Sequence, residues 1–113
     1  MWVMTKIGFF SVVAYRDVPD CLLVRARCEE DIVNIKEEMG HLGWWRDDEA
    51  DYPYRMCCTP AEWAAALARI TADIDYDNFK SSIKSEKRRK AYVRVWQAMR
   101  LIDDRNRLGD MLW

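Results

Sequence analysis

DYPYRMCCTPAEWAAALARITADIDYDNFK, running from Asp51 to Lys80, is the stretch whose reading decides the fold. Tyr52-Pro53-Tyr54-Arg55-Met56-Cys57-Cys58 alternates as a short strand, which predicts Tyr52, Tyr54, Met56 and Cys58 on one face and Pro53, Arg55 and Cys57 on the other. Proline has no N–H to give to a ladder, so Pro53 belongs at the start of that strand or on an edge. Thr59-Pro60-Ala61-Glu62 then reads as a helix start. Thr59 is placed to cap, Pro60 suits the first helical position, and Glu62 can return a bond to the Thr59 N–H. Trp63, Leu67, Ile70 and Ile74 follow at intervals of four, three and four, giving one apolar stripe. Ala64, Ala65, Ala66 and Ala68 favour the helix and let another element come close.

Upstream, Trp2-Val3-Met4-Thr5 and Phe9 to Tyr15 read as two strands with Lys6-Ile7-Gly8 turning between them. Phe10, Val12 and Ala14 form a purely apolar face expected to look into the core. Phe9, Ser11, Val13 and Tyr15 form the opposite one. Cys21 to Arg27 alternates again, with Leu22, Val24 and Ala26 one way and Leu23, Arg25 and Arg27 the other. Glu29-Glu30-Asp31 puts acids in the first turn of a helix, where the dipole favours them. Ile32, Ile35 and Met39 make its stripe and Gly40 stops it. His41 to Ala50 reads as a polar loop apart from Trp44 and Trp45, one expected on the core and the other exposed. Downstream, Ile74 to Lys80 closes the second helix. A basic third helix runs from Lys84 to about Ile102 with Tyr92, Val95, Trp96 and Met99 on one side. In the tail, Met111, Leu112 and Trp113 either dock or fray.

The fold class expected is α+β, with a three- or four-stranded, mostly antiparallel sheet and helices packed mainly on one face, loosely ferredoxin-like. The strand–helix–strand portion is expected to be a right-handed crossover. One domain spans 1–113: strands in 1–28, a helix in 29–40, a strand in 51–58, helices in 59–75 and 84–102, and a tail over 103–113.

Half of the 113 residues are hydrophobic and a third are charged, the composition of a folded chain rather than a disordered one. The net charge of −1 is unevenly spread: Glu29 to Asp51 holds nine acids and two bases, Lys80 to Arg100 eight bases and one acid. Such bipolarity can pair internally, drive self-association or present one sign to a partner. The four cysteines form no CxxC or zinc-finger spacing and are expected to be free thiols. The N-terminus MWVMTK carries no secretory signal pattern, and no segment approaches the ~20 apolar residues of a membrane span. A cytoplasmic location is the expectation.

Taken in order, these segments resemble a group of small bacterial proteins of about this length with no assigned activity. The likeness rests on Met1-Trp2 with Gly8-Phe9-Phe10-Ser11-Val12-Val13, on Val24 to Arg27, on the DYPYR of Asp51 to Arg55, on Ile74 to Lys80, and on Tyr92, Val95 and Trp96. It covers nearly the whole chain and departs around Trp44-Trp45 and in the tail. It implies a single cytosolic domain and no particular mechanism.

The residues that stand out chemically are arginines. Arg25, Arg27 and Arg55 fall on polar strand faces, and arginine forks take carboxylate or phosphate in two-point fashion. A surface recognising an anionic group is therefore expected, with Ser11 contributing and Tyr76, Asn78 and Lys80 bordering it. The plainer reading pairs those arginines with acids such as Asp51, and has Asn78 and Asp77 cap a turn over Tyr76 and Phe79. Trp44 and Trp45 are candidate anchors for a partner. Lys87, Arg88, Arg89, Lys90 and Arg94 offer a nucleic-acid contact as the alternative. His41, the one histidine and so the residue any Ser–His or Cys–His pair would need, sits beside a glycine in a loop with no nearby serine and no motif. Nothing spells a glycine-rich phosphate loop or a calcium loop.

The expectation is thus a non-enzymatic binding or regulatory protein with no catalytic residues, metal or cofactor. An unidentified protein partner is favoured over nucleic acid, no membrane is involved, and a homodimer is among the open assemblies. A phage or bacterial inhibitor, or an enzyme on a small anionic substrate, is the remaining class.

Overall fold

A computed structural model describes residues 1–40 and 43–105 of the chain. The core of the fold is a five-stranded antiparallel sheet in the order β1-β2-β3-β5-β4. The strands are β1 (Trp2–Thr5), β2 (Gly8–Ala14), β3 (Leu22–Ala26), β4 (Trp45–Arg46) and β5 (Tyr54–Cys58). Two helices, α1 (Glu29–Met39) and α2 (Pro60–Ala72), complete the unit Met1–Asp75. A second compact unit begins at Tyr76 and holds α3 (Phe79–Ser82), α4 (Glu86–Met99) and a 3-10 turn (Arg100–Ile102).

The α+β class is as the sequence implies, but the sheet has five strands rather than three or four. The extra one, β4, comes from the segment read as a loop. Its two residues pair Trp45 with Arg55 and Arg46 with Tyr54. A strand that short has no alternation to detect. The expected right-handed crossover is also absent, because β3 and β5 pair antiparallel. The chain leaves β3, runs through α1 and reverses through β4 before β5 comes back beside β3.

Alternation decides what each strand buries. Phe10 and Val12 from β2, Val24 and Ala26 from β3, and Met56 and Cys58 from β5 form one core with Ile32, Ile35 and Met39 of α1 and Trp63 and Ala66 of α2. Burying each large apolar side chain contributes about 1.5–3 kcal/mol. Trp63 meets Phe10 edge-on, ring centroids 6.2 Å apart. Ala14 departs from the expected face pattern, since it ends β2 and is exposed. Ile74 lies past the end of α2 and is likewise exposed.

The capping signals act as written. Thr59 Oγ1 accepts from the Glu62 N–H at 3.1 Å, and Glu62 Oε1 accepts from the Thr59 N–H at 2.8 Å. Gly40 closes α1 with φ +86. A contact not anticipated from sequence ties α1 to the sheet. Buried Asp31 accepts from the Phe9 N–H at 3.0 Å, while Asn34 Nδ2 donates to the Ile7 carbonyl at 3.0 Å. Gly8 sits under that carboxylate; a Cβ there would come within 2.6 Å of Asp31 Cγ and 2.8 Å of Phe10 Cζ.

In the second unit, Ser85 caps α4 by accepting from the Arg88 N–H at 3.3 Å. Helix α4 starts two residues later than expected and gives way to the 3-10 turn at Arg100. Among the described residues no helix is long and apolar enough to cross a membrane. The tail residues Met111, Leu112 and Trp113 and the histidine at 41 lie outside the described residues.

Candidate functional site

Helices α1 and α2 pack on one face of the sheet, so the other face is where chemistry can be presented. Registers run across it without a gap. Trp2 pairs with Ser11, Ser11 with Arg25, Arg25 with Arg55, and Arg55 with Trp45. Directly paired residues in an antiparallel ladder share a face. These five therefore form one row across all five strands, with two adjacent arginines in the middle and a tryptophan at each end.

The arginines are held by uncharged groups. Arg25 Nη2 donates to Ser11 Oγ at 2.7 Å. Arg55 Nε donates to the Tyr52 carbonyl at 3.1 Å and Arg27 Nη1 to the Asp51 carbonyl at 3.0 Å. The Arg25 and Arg27 guanidinium carbons lie 4.9 and 4.4 Å from the centre of the Tyr52 ring. Planar guanidinium over an aromatic face is a favourable, orienting contact. The pairing with Asp51 considered from sequence does not form, as that carboxylate accepts from the Tyr52 N–H at 3.0 Å. Among the described residues no carboxylate forms an ion pair with Arg25, Arg27 or Arg55. Arg25 Nε is buried without a hydrogen-bond partner there.

Tyr52 corrects the sequence reading. Strict alternation places it inward with Tyr54, Met56 and Cys58. Instead it precedes β5, in the β4–β5 loop closed by the Asp47 N–H donating to the Pro53 carbonyl at 2.8 Å. Its buried ring meets Phe9 at 6.4 Å as well as the two arginines. Alternation applies only where the ladder has begun, and Pro53 delays that start.

The tryptophan pair divides as expected. Trp44 packs inward, 5.9 Å from Tyr54, and Trp45 lies on the arginine side, stacked on Tyr15 at 6.3 Å and 39% exposed. Trp2, 76% exposed, meets Phe9 edge-on at 6.4 Å. Sequence reasoning passed over Trp2, Phe9, Tyr15 and Tyr52. The alternation already set Phe9 and Tyr15 on the face of Ser11, which was the available signal for those two, whereas Trp2 reaches that face only through the β1–β2 register.

The remaining candidates belong to the second unit. Asn78 Oδ1 accepts from the Ser81 N–H at 3.0 Å and so caps α3. Tyr76 packs on Phe79 at 5.7 Å, Phe79 stacks on Tyr92 at 5.6 Å, and Lys80 Nζ sits 3.5 Å from the Trp96 ring centre. On α4, Arg88 Nη1 donates to the Tyr92 hydroxyl at 3.0 Å and Lys90 pairs with Glu86 at 3.4 Å. Lys87, Lys90 and Arg94 share one helical side by spacing; Arg89 is exposed.

Among the described residues no group of three or more His, Cys, Asp or Glu side chains is arranged to hold a metal ion. Cys21, Cys28, Cys57 and Cys58 form no disulfide. Cys57 and Cys58 take opposite faces: burial in the core pushes the Cys58 thiol up to about 11, and burial followed by a hydrogen bond with Cys21 raises that of Cys57.

No protein-family model, curated protein or solved structure matches this chain. The sheet face therefore carries the functional reading by its own chemistry.

Proposed function

We propose that this chain is a small non-enzymatic binding protein that recognises an anionic group through the sheet face carrying Arg25, Arg27 and Arg55. One observation carries the reading: Arg25 and Arg55 are direct cross-strand partners with no ion-paired carboxylate among the described residues. Like charges placed opposite each other are destabilising in a ladder. An anion bridging two guanidiniums relieves that repulsion and gains charge-assisted bonds. The Ser11, Tyr52 and Asp51 contacts fix the forks beforehand, so little side-chain entropy remains to be lost on binding.

The test is calorimetric titration of the full chain with inorganic tripolyphosphate at low salt. Wild type binds, and an Arg25→Ala/Arg55→Ala variant of unchanged circular dichroism loses the heat. Equal heats from both proteins would remove the site from this face.

A further inference from the structure

The row Trp2–Ser11–Arg25–Arg55–Trp45 constrains its ligand beyond a negative charge. We infer that the anion recognised here is the backbone of a single-stranded nucleic acid lying across the strands, with bases stacked at the two tryptophan ends. This inference rests on the reading of the arginine face as an anion-recognising surface.

Three features of the face select this class. First, the row is cationic, and among the described residues no carboxylate pairs with its two arginines, Arg25 and Arg55. Among the described residues no strand contains an aspartate or glutamate, and the third charged strand residue, Arg46, pairs with Tyr54 in register, on the opposite face, and with Asp48. The acids among the described residues lie in loops and helices.

Second, the cations alternate with flat rings. Tyr52 lies beside Arg25 and Arg27, Phe9 beside Tyr52, and Trp2 beside Phe9; at the other end Trp45 is stacked on Tyr15. Every base has a π-face, so an aromatic platform flanking a positive groove binds single strands with little dependence on sequence. A duplex hides those faces in its own stack.

Third, the row is long. Four inter-strand steps of about 4.8 Å separate Trp2 from Trp45, roughly 19 Å in all. That span exceeds one mononucleotide, so two stacked bases must belong to one extended strand, leaving its intervening phosphates over Arg25 and Arg55. A polyanion without rings would leave both tryptophans unused. An acidic protein surface would supply charge but no planar groups at that spacing.

No base-edge reader is evident in the row, since Ser11 is buried and already bonded to Arg25. Affinity should therefore follow strandedness and backbone charge rather than sequence. With three phosphates contacted, the slope of log K against log salt is about −2, from roughly −0.7 per phosphate on a single strand.

The test is fluorescence anisotropy of the full chain with a labelled oligothymidylate of about twelve nucleotides, beside its duplex, inorganic polyphosphate and poly-glutamate. Single strand should bind at least tenfold tighter than the other three. Trp45→Ala should weaken it roughly tenfold, the effect of one stacked base, and Arg25→Lys/Arg55→Lys, which keeps charge but not the forks, should weaken it too. Lys87→Ala/Arg89→Ala/Lys90→Ala on α4 should leave it within twofold. Polyphosphate or poly-glutamate binding as tightly as the oligonucleotide, with no loss in Trp45→Ala, would overturn the nucleic-acid inference while the anion reading stands. Binding lost only in the α4 variant would move nucleic acid to that helix and overturn it as well. If none of the four polyanions binds in a way the arginine variants alter, the anion reading falls with it.

Discussion

Arg25 and Arg55 face each other across β3 and β5, and each spends its hydrogen bond on an uncharged oxygen, Ser11 Oγ for the first and the Tyr52 carbonyl for the second. A fold optimised only for stability would place an acid opposite one of them. Opposite-charge cross-strand pairs contribute about 0.2–1 kcal/mol and like charges cost a similar amount. Residues kept at the expense of stability are commonly those used for function.

Replacing Arg55 by Gln should therefore be close to neutral. It loses the bond to the Tyr52 carbonyl, worth about 0.5–1.5 kcal/mol, and relieves a repulsion of about the same size. Urea denaturation is expected to give a change within about 0.5 kcal/mol. Added salt screens exposed repulsion, so it should stabilise wild type more than the variant. A large loss of stability with no change in salt response would show that Arg55 serves the fold alone.

Gly8 makes the opposite case, a position where the fold admits no change. A Cβ there would meet Asp31 Cγ at 2.6 Å, Asp31 Cβ at 2.7 Å and Phe10 Cζ at 2.8 Å. The carboxylate cannot retreat freely, because it accepts from the Phe9 N–H at 3.0 Å. Gly8→Ala should cost about 1–3 kcal/mol, the usual range for overpacking a filled site. Trimming the obstacle with Asp31→Ala as well should give a less than additive loss, measured as a double-mutant cycle in urea.

Much of this was legible in the chain, and what was not has identifiable causes. The period-two pattern of Leu22 to Ala26 was enough to sort Val24 from Arg25, and Thr59 with Glu62 was enough to start α2. Local signals of that kind survive folding because they are satisfied within a few residues. The register that sets Arg25 opposite Arg55 joins residues 30 apart and is fixed by the whole sheet. Strand β4 is too short to show a period. Tyr52 looked like a core residue because alternation was extended past the proline that ends it. The three arginines could be placed on one face from sequence, whereas the aromatic row around them needed the sheet order.

The capping box gives a local prediction. Thr59→Ala removes the acceptor for the Glu62 N–H and should cost about 1 kcal/mol. Glu62→Ala alone should cost less, since the Thr59 N–H it leaves is exposed to water. The two bonds support one geometry, so the double variant should lose less than the sum. Additive losses in urea melts would mean that the two halves of the box act independently.

Cys58 offers a test of the core through pH. Its side chain is buried among Met56, Trp63 and the α1 stripe, and burial holds the thiol up at about 11 against an ordinary 9.0. The unfolded chain releases this proton near pH 9 while the folded chain retains it. The contribution is therefore intact below pH 9 and declines as pH rises from about 9 to about 11. Urea melts across that window should show wild type losing stability more steeply than Cys58→Ala, whatever the variant loses at neutral pH by leaving a cavity. Thiol labelling at pH 8 should find Cys58 the slowest of the four cysteines, because the thiolate is the reacting form and the group is reached only when the core opens. Labelling at the pace of Cys21 would mean that the β5 end of the core opens far more readily than its packing implies.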